Sequence, residues 1–149
     1  MAEYELRPSA FPDISGLVGS LRYDDWAEIT CFGLRPFQAI RQCYRESFIR
    51  RTAIANGEVV AMWGCAGNML GTGQPWLLTG KGIENFKVSF IRNARKEVSE
   101  MLLHCNRLEG IVVNRYDRAV RLLEVLGFEL SEPFELQNNL VRRYTLGGK

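Results

Sequence analysis

Apolar residues recur at helical spacing in several stretches of the chain and predict its helices. A modest helix is expected over Phe11–Arg22 and a clearer one over Arg35–Phe48. The strongest pattern covers Gly82–Cys105, with apolar residues along one face and charged residues largely on the other. A last amphipathic helix ends within Arg118–Phe128, the stretch RAVRLLEVLGF. There Gly127 takes the position of a left-handed cap and the following phenylalanine can fold back on the helix.

Alternating or β-branched runs between turn signals predict the strands. Tyr4–Pro8 alternates and ends at a proline, and Arg51–Gly67 contains two apolar runs joined by Asn56-Gly57, the dipeptide that favours a tight hairpin. A Gly-rich loop is expected at Ala66–Pro75. The remaining strands are expected after it, at Trp76–Leu78, Leu108–Asn114, Phe128–Leu130 and Leu140–Leu146. This order predicts an α/β (α+β) fold with a mixed sheet covered by helices.

Composition indicates a soluble globular protein of one domain, residues 1–149. Hydrophobic residues make up 46% of the chain and charged residues 24%, which argues against a disordered chain. The net charge of +2 is too small to indicate nucleic acid or an acidic membrane as a partner. No apolar run approaches about 20 residues and the first residues lack a signal-peptide pattern, so a cytoplasmic location is expected.

Metal binding and histidine-dependent catalysis are not expected. The four cysteines are widely spaced without a C-x-x-C pair, and His104 is the only histidine. Structural zinc sites need clustered cysteine and histidine ligands, and a Ser-His-Asp or Cys-His arrangement needs a histidine beside the nucleophile. His104 lies near the end of a predicted helix, where interaction with the helix terminus is its expected role.

The element order and several motifs resemble the GNAT superfamily of acetyl-CoA-dependent N-acetyltransferases over essentially the whole chain. The opening LRPSAFPDISGL is similar to the family's first strand and helix, and AIANGEVVAMWGCAG is similar to its second and third strands. WLLTGKGIENF lies where the family binds the cofactor pyrophosphate, and VVNRYDRAVRLLEVLGF is similar to its fifth strand and final helix. The resemblance implies a mostly antiparallel sheet of six to seven strands flanked by about four helices, with acetyl-CoA or CoA as cofactor.

GNAT enzymes hold the pyrophosphate on successive backbone N–H groups where a strand turns into a helix. The resemblance places that cofactor site at Leu78, Thr79, Gly80, Lys81 and Gly82. The family's spacing of Gln or Arg, two residues, Gly, one residue, and Gly or Ala is matched only at Gly82, because Thr79 and Glu84 occupy the outer positions. Either these N–H groups still bind the cofactor, with Lys81 adding charge, or the glycines only shape the turn and Glu84 satisfies its N–H groups.

The resemblance also implies a proton donor and a pantetheine contact. GNAT enzymes often place a tyrosine near the cofactor sulfur to protonate the departing thiolate, whereas this chain has Leu123, which has no proton to give. Tyr116 lies about two helical turns away and is not assigned the role. Asn114 matches an asparagine that the family often keeps near the pantetheine arm, or else it caps the following helix.

A general base for the amine substrate is expected in the region between the first two predicted helices, because this region borders the acceptor site in GNAT folds. Asp24, Asp25 and Glu28 surround Trp26 there. If Glu28 faces the site beside Trp26, desolvation would raise its pKa toward a useful value, so Glu28 is the catalytic candidate. The alternative is that these acids are solvated groups near a helix start.

A narrower resemblance depends on the combination of GEVVAMWG, PWLL, a long helix, a strand ending in asparagine, and RLLEVLGF. It is similar to the small GNAT-like proteins of short-tailed phages, identified as internal virion or head-associated proteins. This implies virion proteins as partners and a location in the host cytoplasm or the virion. We therefore expect a phage-type GNAT-fold virion or assembly protein with a degenerate acyl-transfer site. The alternatives are an N-acetyltransferase that acts on a primary amine by direct transfer in a ternary complex, and a module that binds acyl-CoA without turnover.

Overall fold

The computed structural model describes residues 4–67 and 71–148, and the chain divides into two compact units. The first comprises Met1–Ala66 and Trp76–Arg92, and the second comprises Gly67–Pro75 and Asn93–Lys149. The helices are α1 (Asp13–Ser20), α2 (Tyr23–Cys31), α3 (Pro36–Glu46), α4 (Lys87–His104) and α5 (Asp117–Val125), with a 3₁₀ helix at Lys81–Phe86. The strands are β1 (Tyr4–Pro8), β2 (Ser47–Ala55), β3 (Glu58–Gly67), β4 (Thr72–Thr79), β5 (Arg107–Val113), β6 (Glu129–Leu130), β7 (Phe134–Leu136) and β8 (Asn139–Gly147).

The predicted fold class is confirmed, because the strands form a mixed and mostly antiparallel sheet accompanied by helices. Hydrogen-bonded neighbours follow the order β1-β2-β3-β4-β5-β8-β6, and β7 also pairs with β8. β5 runs parallel to β4 and antiparallel to β8. Over the residues described, the sheet has eight strands and the chain five α-helices, slightly more of each than the sequence predicts.

In the first unit, the predicted hairpin is confirmed. β2 pairs with β3 in antiparallel register around Asn56 and Gly57, which adopt φ values of 53° and 80°, as a tight turn of this kind requires. The apolar faces of α1 and α3 cover this part of the sheet. Their common core contains fully or almost fully buried side chains from α1, from the residue that follows it, from α3 and from β3: Ile14, Leu17, Leu21, Ile40 and Met62.

The segment between the first two predicted helices is itself helical, although no pattern in the sequence predicts a helix there. The predicted helix over Phe11–Arg22 covers only Asp13–Ser20, and a separate helix, α2, follows at Tyr23–Cys31. None of the α2 side chains is fully buried. A helix without a buried stripe lacks the apolar periodicity from which helices are recognised in a sequence.

The predicted helix over Arg35–Phe48 ends at Glu46, because the chain enters β2 at Ser47. Ser47 pairs with Ala66 of β3, and its hydroxyl accepts a hydrogen bond from the Trp76 indole N–H at 2.7 Å. Phe48 therefore belongs to a strand, although its position fits the helical stripe. Tertiary pairing has overridden the local pattern here.

The chain around the predicted pyrophosphate turn also differs from expectation. β4 begins at Thr72, so Thr72–Pro75 is strand rather than part of the predicted loop, while residues 68–70 of that loop lie outside the described residues. The predicted helix over Gly82–Cys105 begins instead as the 3₁₀ helix, and α4 starts only at Lys87. The first α-helical turn is thus displaced by five residues from Gly82.

In the second unit, β5 pairs along its length with β8, and α5 connects β5 to β6. Gly127 has a φ of 93°, and the Phe128 N–H donates to the Leu123 carbonyl at 3.0 Å, which confirms the predicted helix end. The hairpin of β7 and β8 was not predicted, since its turn residues, Gln137 and Asn138, adopt positive φ without a glycine to signal it.

Candidate functional site

The five residues predicted to bind the cofactor pyrophosphate lie consecutively at the end of β4 and the start of the 3₁₀ helix, all within the first unit. Leu78 packs against the core of this unit, and Thr79 is 6% exposed at the last position of β4. Gly80 forms an isolated antiparallel bridge with Leu21. Lys81 and Gly82 open the 3₁₀ helix, with the Lys81 side chain exposed.

Several backbone N–H groups of this turn are already hydrogen-bonded within the protein. The Thr79 N–H donates to the Asp25 carboxylate at 3.2 Å, and the Gly80 N–H donates to the Val60 carbonyl at 2.7 Å. The Ile83 N–H donates to the Gly80 carbonyl at 3.2 Å. A pyrophosphate nest requires a row of free N–H groups, and three of the donors at this turn are engaged within the protein.

The two glycines of the turn have packing reasons to be glycine. A Cβ on Gly80 would lie 2.8 Å from the Ser20 hydroxyl oxygen, and a Cβ on Gly82 would lie 2.7 Å from a methyl group of Val60. Both distances are shorter than carbon contacts in folded proteins. The close approach of α1 and β3 therefore accounts for both glycines without a ligand.

Asp25 contributes the carboxylate that contacts this turn. One of its oxygens accepts hydrogen bonds from both the backbone N–H and the hydroxyl of Thr79. Burial raises the pKa of Asp25 above its ordinary value, although the hydrogen bonds from Thr79 and the charge of Arg22 partly oppose that rise. The sequence placed Asp25 among three acids around Trp26, and no local signal distinguished it from its neighbours.

Charges of both signs surround the turn. Arg22 donates its backbone N–H to the Thr79 carbonyl at 3.0 Å, and its guanidinium forms an ion pair with Glu84 at 3.0 Å. Glu84, which replaces the last small residue of the family's motif, is therefore held beside a cation. With Lys81 and Asp25 included, two basic and two acidic side chains belong to this part of the unit, so the turn has no net positive charge to attract a phosphate.

Glu28, the predicted general base, is half-buried one helical turn after Asp25 on α2, and its backbone carbonyl accepts a hydrogen bond from the Cys31 thiol at 3.1 Å. Its catalytic role stays a prediction. Trp26 lies beside Tyr23 with ring centroids 6.0 Å apart, and both rings are exposed, so Trp26 does not form a buried wall for Glu28.

The other residues implied by the resemblance lie in the second unit. Asn114 follows β5 and donates its backbone N–H to the Leu140 carbonyl at 2.9 Å. The alternative role of Asn114 as a helix cap is wrong, because the residue that precedes α5 is Tyr116 and no side chain caps that helix. Leu123 is half-buried on α5. Tyr116, not assigned a role, is buried, and the Arg115 guanidinium donates to its hydroxyl at 3.3 Å.

Among the residues described, no group of three or more histidine, cysteine, aspartate or glutamate side chains could hold a metal ion. The same residues include no helix that is long and apolar enough to cross a membrane.

No protein-family model matches the sequence, and no curated protein matches it. The fold, by contrast, is similar to that of many solved acetyltransferases. A GNAT-family acetyltransferase from Bacillus anthracis has a TM-score of 0.72 and 12% sequence identity, over 99% of this chain and 96% of that one. An N-acetyltransferase from Staphylococcus aureus has a TM-score of 0.70 at 12% identity, with 97% and 98% of the two chains covered.

An aminoglycoside acetyltransferase in complex with coenzyme A has a TM-score of 0.67 and 18% identity, over 97% of this chain and 95% of that enzyme. These identities are too low to transfer an activity, because one fold hosts many functions. The coverage shows that the similarity extends over almost the whole length of each chain. The chain therefore has the fold of the GNAT N-acetyltransferases.

Proposed function

We propose that this chain is a GNAT-fold protein with a degenerate acyl-transfer site that acts through protein contacts, in a phage virion or in its assembly. The observation that carries the loss of transfer chemistry is the hydrogen bonding of Thr79, whose N–H and hydroxyl are both occupied by the Asp25 carboxylate. An anionic cofactor at this turn would meet a carboxylate where the GNAT mechanism needs free donors.

Electrostatics and the missing acid support the same conclusion. Two unit charges of like sign about 5 Å apart repel by about 3 kcal/mol at an effective dielectric near 20, so each carboxylate that faces the pyrophosphate weakens its binding measurably. The α-helix that follows starts at Lys87, which moves its positive end away from the turn. Leu123 offers no proton for a departing thiolate.

The assignment to a virion is supported by the sequence alone, through the likeness of GEVVAMWG, PWLL and RLLEVLGF to small GNAT-like proteins of short-tailed phages. On this proposal the partners are other virion proteins, and the chain occurs in the host cytoplasm before it is packaged. On the same proposal a phage genome encodes the chain, and mass spectrometry of purified, protease-treated particles of that phage tests the assignment. The chain should be present in the particles, and its absence would contradict a virion role.

The second candidate function is an acetyl-CoA-dependent N-acetyltransferase that transfers the acetyl group directly to a primary amine in a ternary complex. The observations in its favour are the exposed ammonium group of Lys81 at the start of the 3₁₀ helix and the similarity of the fold to an aminoglycoside acetyltransferase in complex with coenzyme A. In this case Glu28 would serve as general base and Asn114 would contact the pantetheine arm.

Calorimetric titration of the protein with acetyl-CoA and with CoA separates the two functions. The proposed function predicts no binding up to about 1 mM ligand. Binding in the micromolar range, about −8 kcal/mol, together with release of free CoA thiol in the presence of primary amines, would overturn it in favour of the enzyme. Micromolar binding without thiol release would also overturn it, in favour of a module that retains acyl-CoA.

A further inference from the structure

The outward face of α2 carries an exposed aromatic stripe. One side of this helix presents residues at positions i, i+3, i+4 and i+7, which are Tyr23, Trp26, Ala27 and Thr30. Tyr23 is 73% exposed and Trp26 is 47% exposed, and their ring centroids lie 6.0 Å apart. The Thr30 hydroxyl donates to the Trp26 carbonyl at 2.9 Å, so it is already hydrogen-bonded within the helix. Exposed tyrosine and tryptophan side by side are typical of surfaces that contact another protein.

This aromatic stripe points away from the turn at residues 78–82. Asp25 and Ile29 are on the inward side of α2, because Asp25 accepts the hydrogen bonds from Thr79 and Ile29 packs against the apolar core. Successive residues turn by about 100° around a helix, so the directions of Tyr23 and Asp25 differ by about 160°. A protein that contacts the stripe therefore uses a different surface from a ligand at the turn.

Charges of opposite sign are segregated between α2 and α3. Residues 23–34 include three acidic residues and no lysine or arginine, whereas residues 35–45 include three arginines and no acidic residue. Asp24 is exposed on α2, and the exposed arginines are Arg35, just before α3, and Arg45, near its end. Within the part of the chain that the structure describes, none of these three side chains forms an ion pair. The two helices thus present unpaired charges of opposite sign.

The two helices are neighbours in the first unit. They contact each other, and Ile29 of α2 and Ile40 of α3 belong to the same apolar core, so their outward faces lie side by side. A two-fold axis that runs between the helices places α2 of one copy on α3 of a second copy, and the same contact then forms twice. An axis that pairs α2 with α2 brings like charges together. Because one surface carries both halves of the contact, it is complementary to a second copy of itself.

We propose that the outward faces of α2 and α3 form a self-association surface, in which each α2 lies on the α3 of a second copy. The aromatic stripe and Asp24 of one copy contact Arg35 and Arg45 of the other. A guanidinium stacks on aromatic rings and also pairs with carboxylates, so both features of α2 suit the same partner side chains. This inference goes beyond the proposed function, because it holds whether or not the chain occurs in a virion or binds acetyl-CoA.

The size of this surface sets the expected strength of association. α2 has 9 residues and α3 has 11, so each helix is about 15 Å long and about 10 Å across. Two such faces cover about 300 Å², well below the value of about 800 Å² per partner in a standard interface. We therefore expect a weak and reversible dimer with a dissociation constant of about 10–100 µM. Its charged groups are exposed, so salt should weaken it.

Sedimentation velocity of the full chain, from about 5 to about 500 µM, measures this equilibrium. Asp24→Arg and Arg45→Glu each reverse one charge of the contact, and the double variant again gives the two faces opposite charges. Trp26→Ala removes the larger ring of the stripe and serves if a charge reversal prevents folding, which circular dichroism reports. Arg121→Glu is the matched control, because it makes the same change at an exposed arginine of α5 in the second unit.

The wild type should form a dimer whose dissociation constant rises by about tenfold between about 0.05 M and about 0.5 M salt. Asp24→Arg, Arg45→Glu and Trp26→Ala should each weaken the dimer by about tenfold or more, because every substitution occurs twice in a two-fold contact. The double reversal should regain most of the lost affinity. Arg121→Glu should dimerise like the wild type.

A wild type that stays monomeric at about 500 µM in low salt refutes the inference. It is equally refuted by a dimer that the α2 and α3 variants weaken no more than Arg121→Glu does, since that dimer uses another surface. A double reversal that binds no more tightly than the single reversals contradicts the charge pairing, and assemblies larger than a dimer contradict the two-fold arrangement. Failure of the proposed function is seen separately, as release of CoA thiol or absence from the particles, and leaves the dimer unaffected.

Discussion

Replacement of Asp13 by alanine is expected to destabilise the protein by about 3 kcal/mol, well above the effect of an ordinary surface change. Asp13 is the first residue of α1 and is 6% exposed. Its carboxylate accepts two hydrogen bonds from the Arg7 guanidinium, at 2.7 and 2.8 Å, and one from the Ala10 N–H at 2.7 Å. The Thr52 hydroxyl donates a fourth at 2.9 Å. One side chain thereby connects β1, α1 and β2.

The expected magnitude follows from what each partner loses. Arg7 is partly exposed and can regain water, so its share is about 1 kcal/mol rather than that of a buried ion pair. The Ala10 N–H loses its acceptor, which costs about 1 kcal/mol or slightly more. The Thr52 hydroxyl keeps Ser9 as an alternative acceptor at 2.8 Å, so its loss is smaller. The favourable position of a carboxylate in the first helical turn contributes about 0.3–1 kcal/mol.

The pH dependence of stability provides a second signature. The hydrogen bonds from Arg7, Ala10 and Thr52 together with the charge of Arg7 outweigh desolvation and hold the pKa of Asp13 below its ordinary value. A carboxyl group with a depressed folded pKa contributes its full stabilisation above its unfolded pKa of about 3.9 and loses it as the pH falls through the folded pKa. The stability difference between wild type and Asp13→Ala should therefore begin to shrink as the pH falls towards the unfolded pKa of about 3.9 and continue to shrink below it.

Urea unfolding followed by circular dichroism measures both effects, with Asp117→Ala as the matched control. Asp117 is likewise an acidic residue at the first position of a helix, α5, but it is exposed. Its replacement should cost no more than about 1 kcal/mol. The reasoning is refuted if the two variants lose equal stability at neutral pH, or if the difference between wild type and Asp13→Ala grows on acidification.

Three further predictions concern close packing, helix propensity and thiol reactivity. Gly110→Ala should destabilise the protein by about 2–4 kcal/mol in urea unfolding, because a Cβ on Gly110 would overlap the Tyr144 hydroxyl. That hydroxyl donates a hydrogen bond to the Pro75 carbonyl at 3.1 Å, which the overlap would disturb. An unchanged unfolding midpoint would contradict this prediction. Gly19→Ala, on the exposed side of α1 where a Cβ meets no atom within 4 Å, should instead stabilise the protein by about 0.5–1 kcal/mol, and a loss of stability would be the contrary result. The Cys43 thiol should react with iodoacetamide more slowly than free cysteine at mildly alkaline pH, because burial, assisted by the charge of Glu46, raises the pKa of the thiol. Peptide mass spectrometry over time measures the rate of alkylation. A rate equal to that of free cysteine would contradict this prediction.

Local patterns in the sequence were sufficient for elements whose determinants lie within a few residues. The strand Tyr4–Pro8, the hairpin at Asn56-Gly57 and the helix end at Gly127 all occur where the pattern predicts them, since backbone geometry at each depends on neighbouring residues. The same reasoning missed α2, which lacks a buried stripe, and continued the third predicted helix through a 3₁₀ segment. It also extended a helix to Phe48, which pairing with β3 converts to strand.

Only part of the candidate site could be predicted from the sequence. The turn at residues 78–82 could be located from its glycines, and Glu84 and Leu123 could be recognised as departures from the GNAT pattern. Of the three acidic residues near Trp26, Glu28 was the predicted base, and no local pattern marked Asp25 as the one that contacts the turn, because all three are consistent with an exposed helix start.

By itself, the sequence determined the mixed α/β fold and the position of the turn, because both follow from periodicity and local backbone preferences. The tertiary structure alone decided that Asp25, 54 residues before Thr79, takes both of its donors. The physical reason is that a hydrogen bond between distant residues depends on how helix and strand are packed together. A hydrogen bond forms only within a few tenths of an ångström of its preferred length and in a preferred direction. The spacing of residues along the chain does not indicate which distant groups meet that condition.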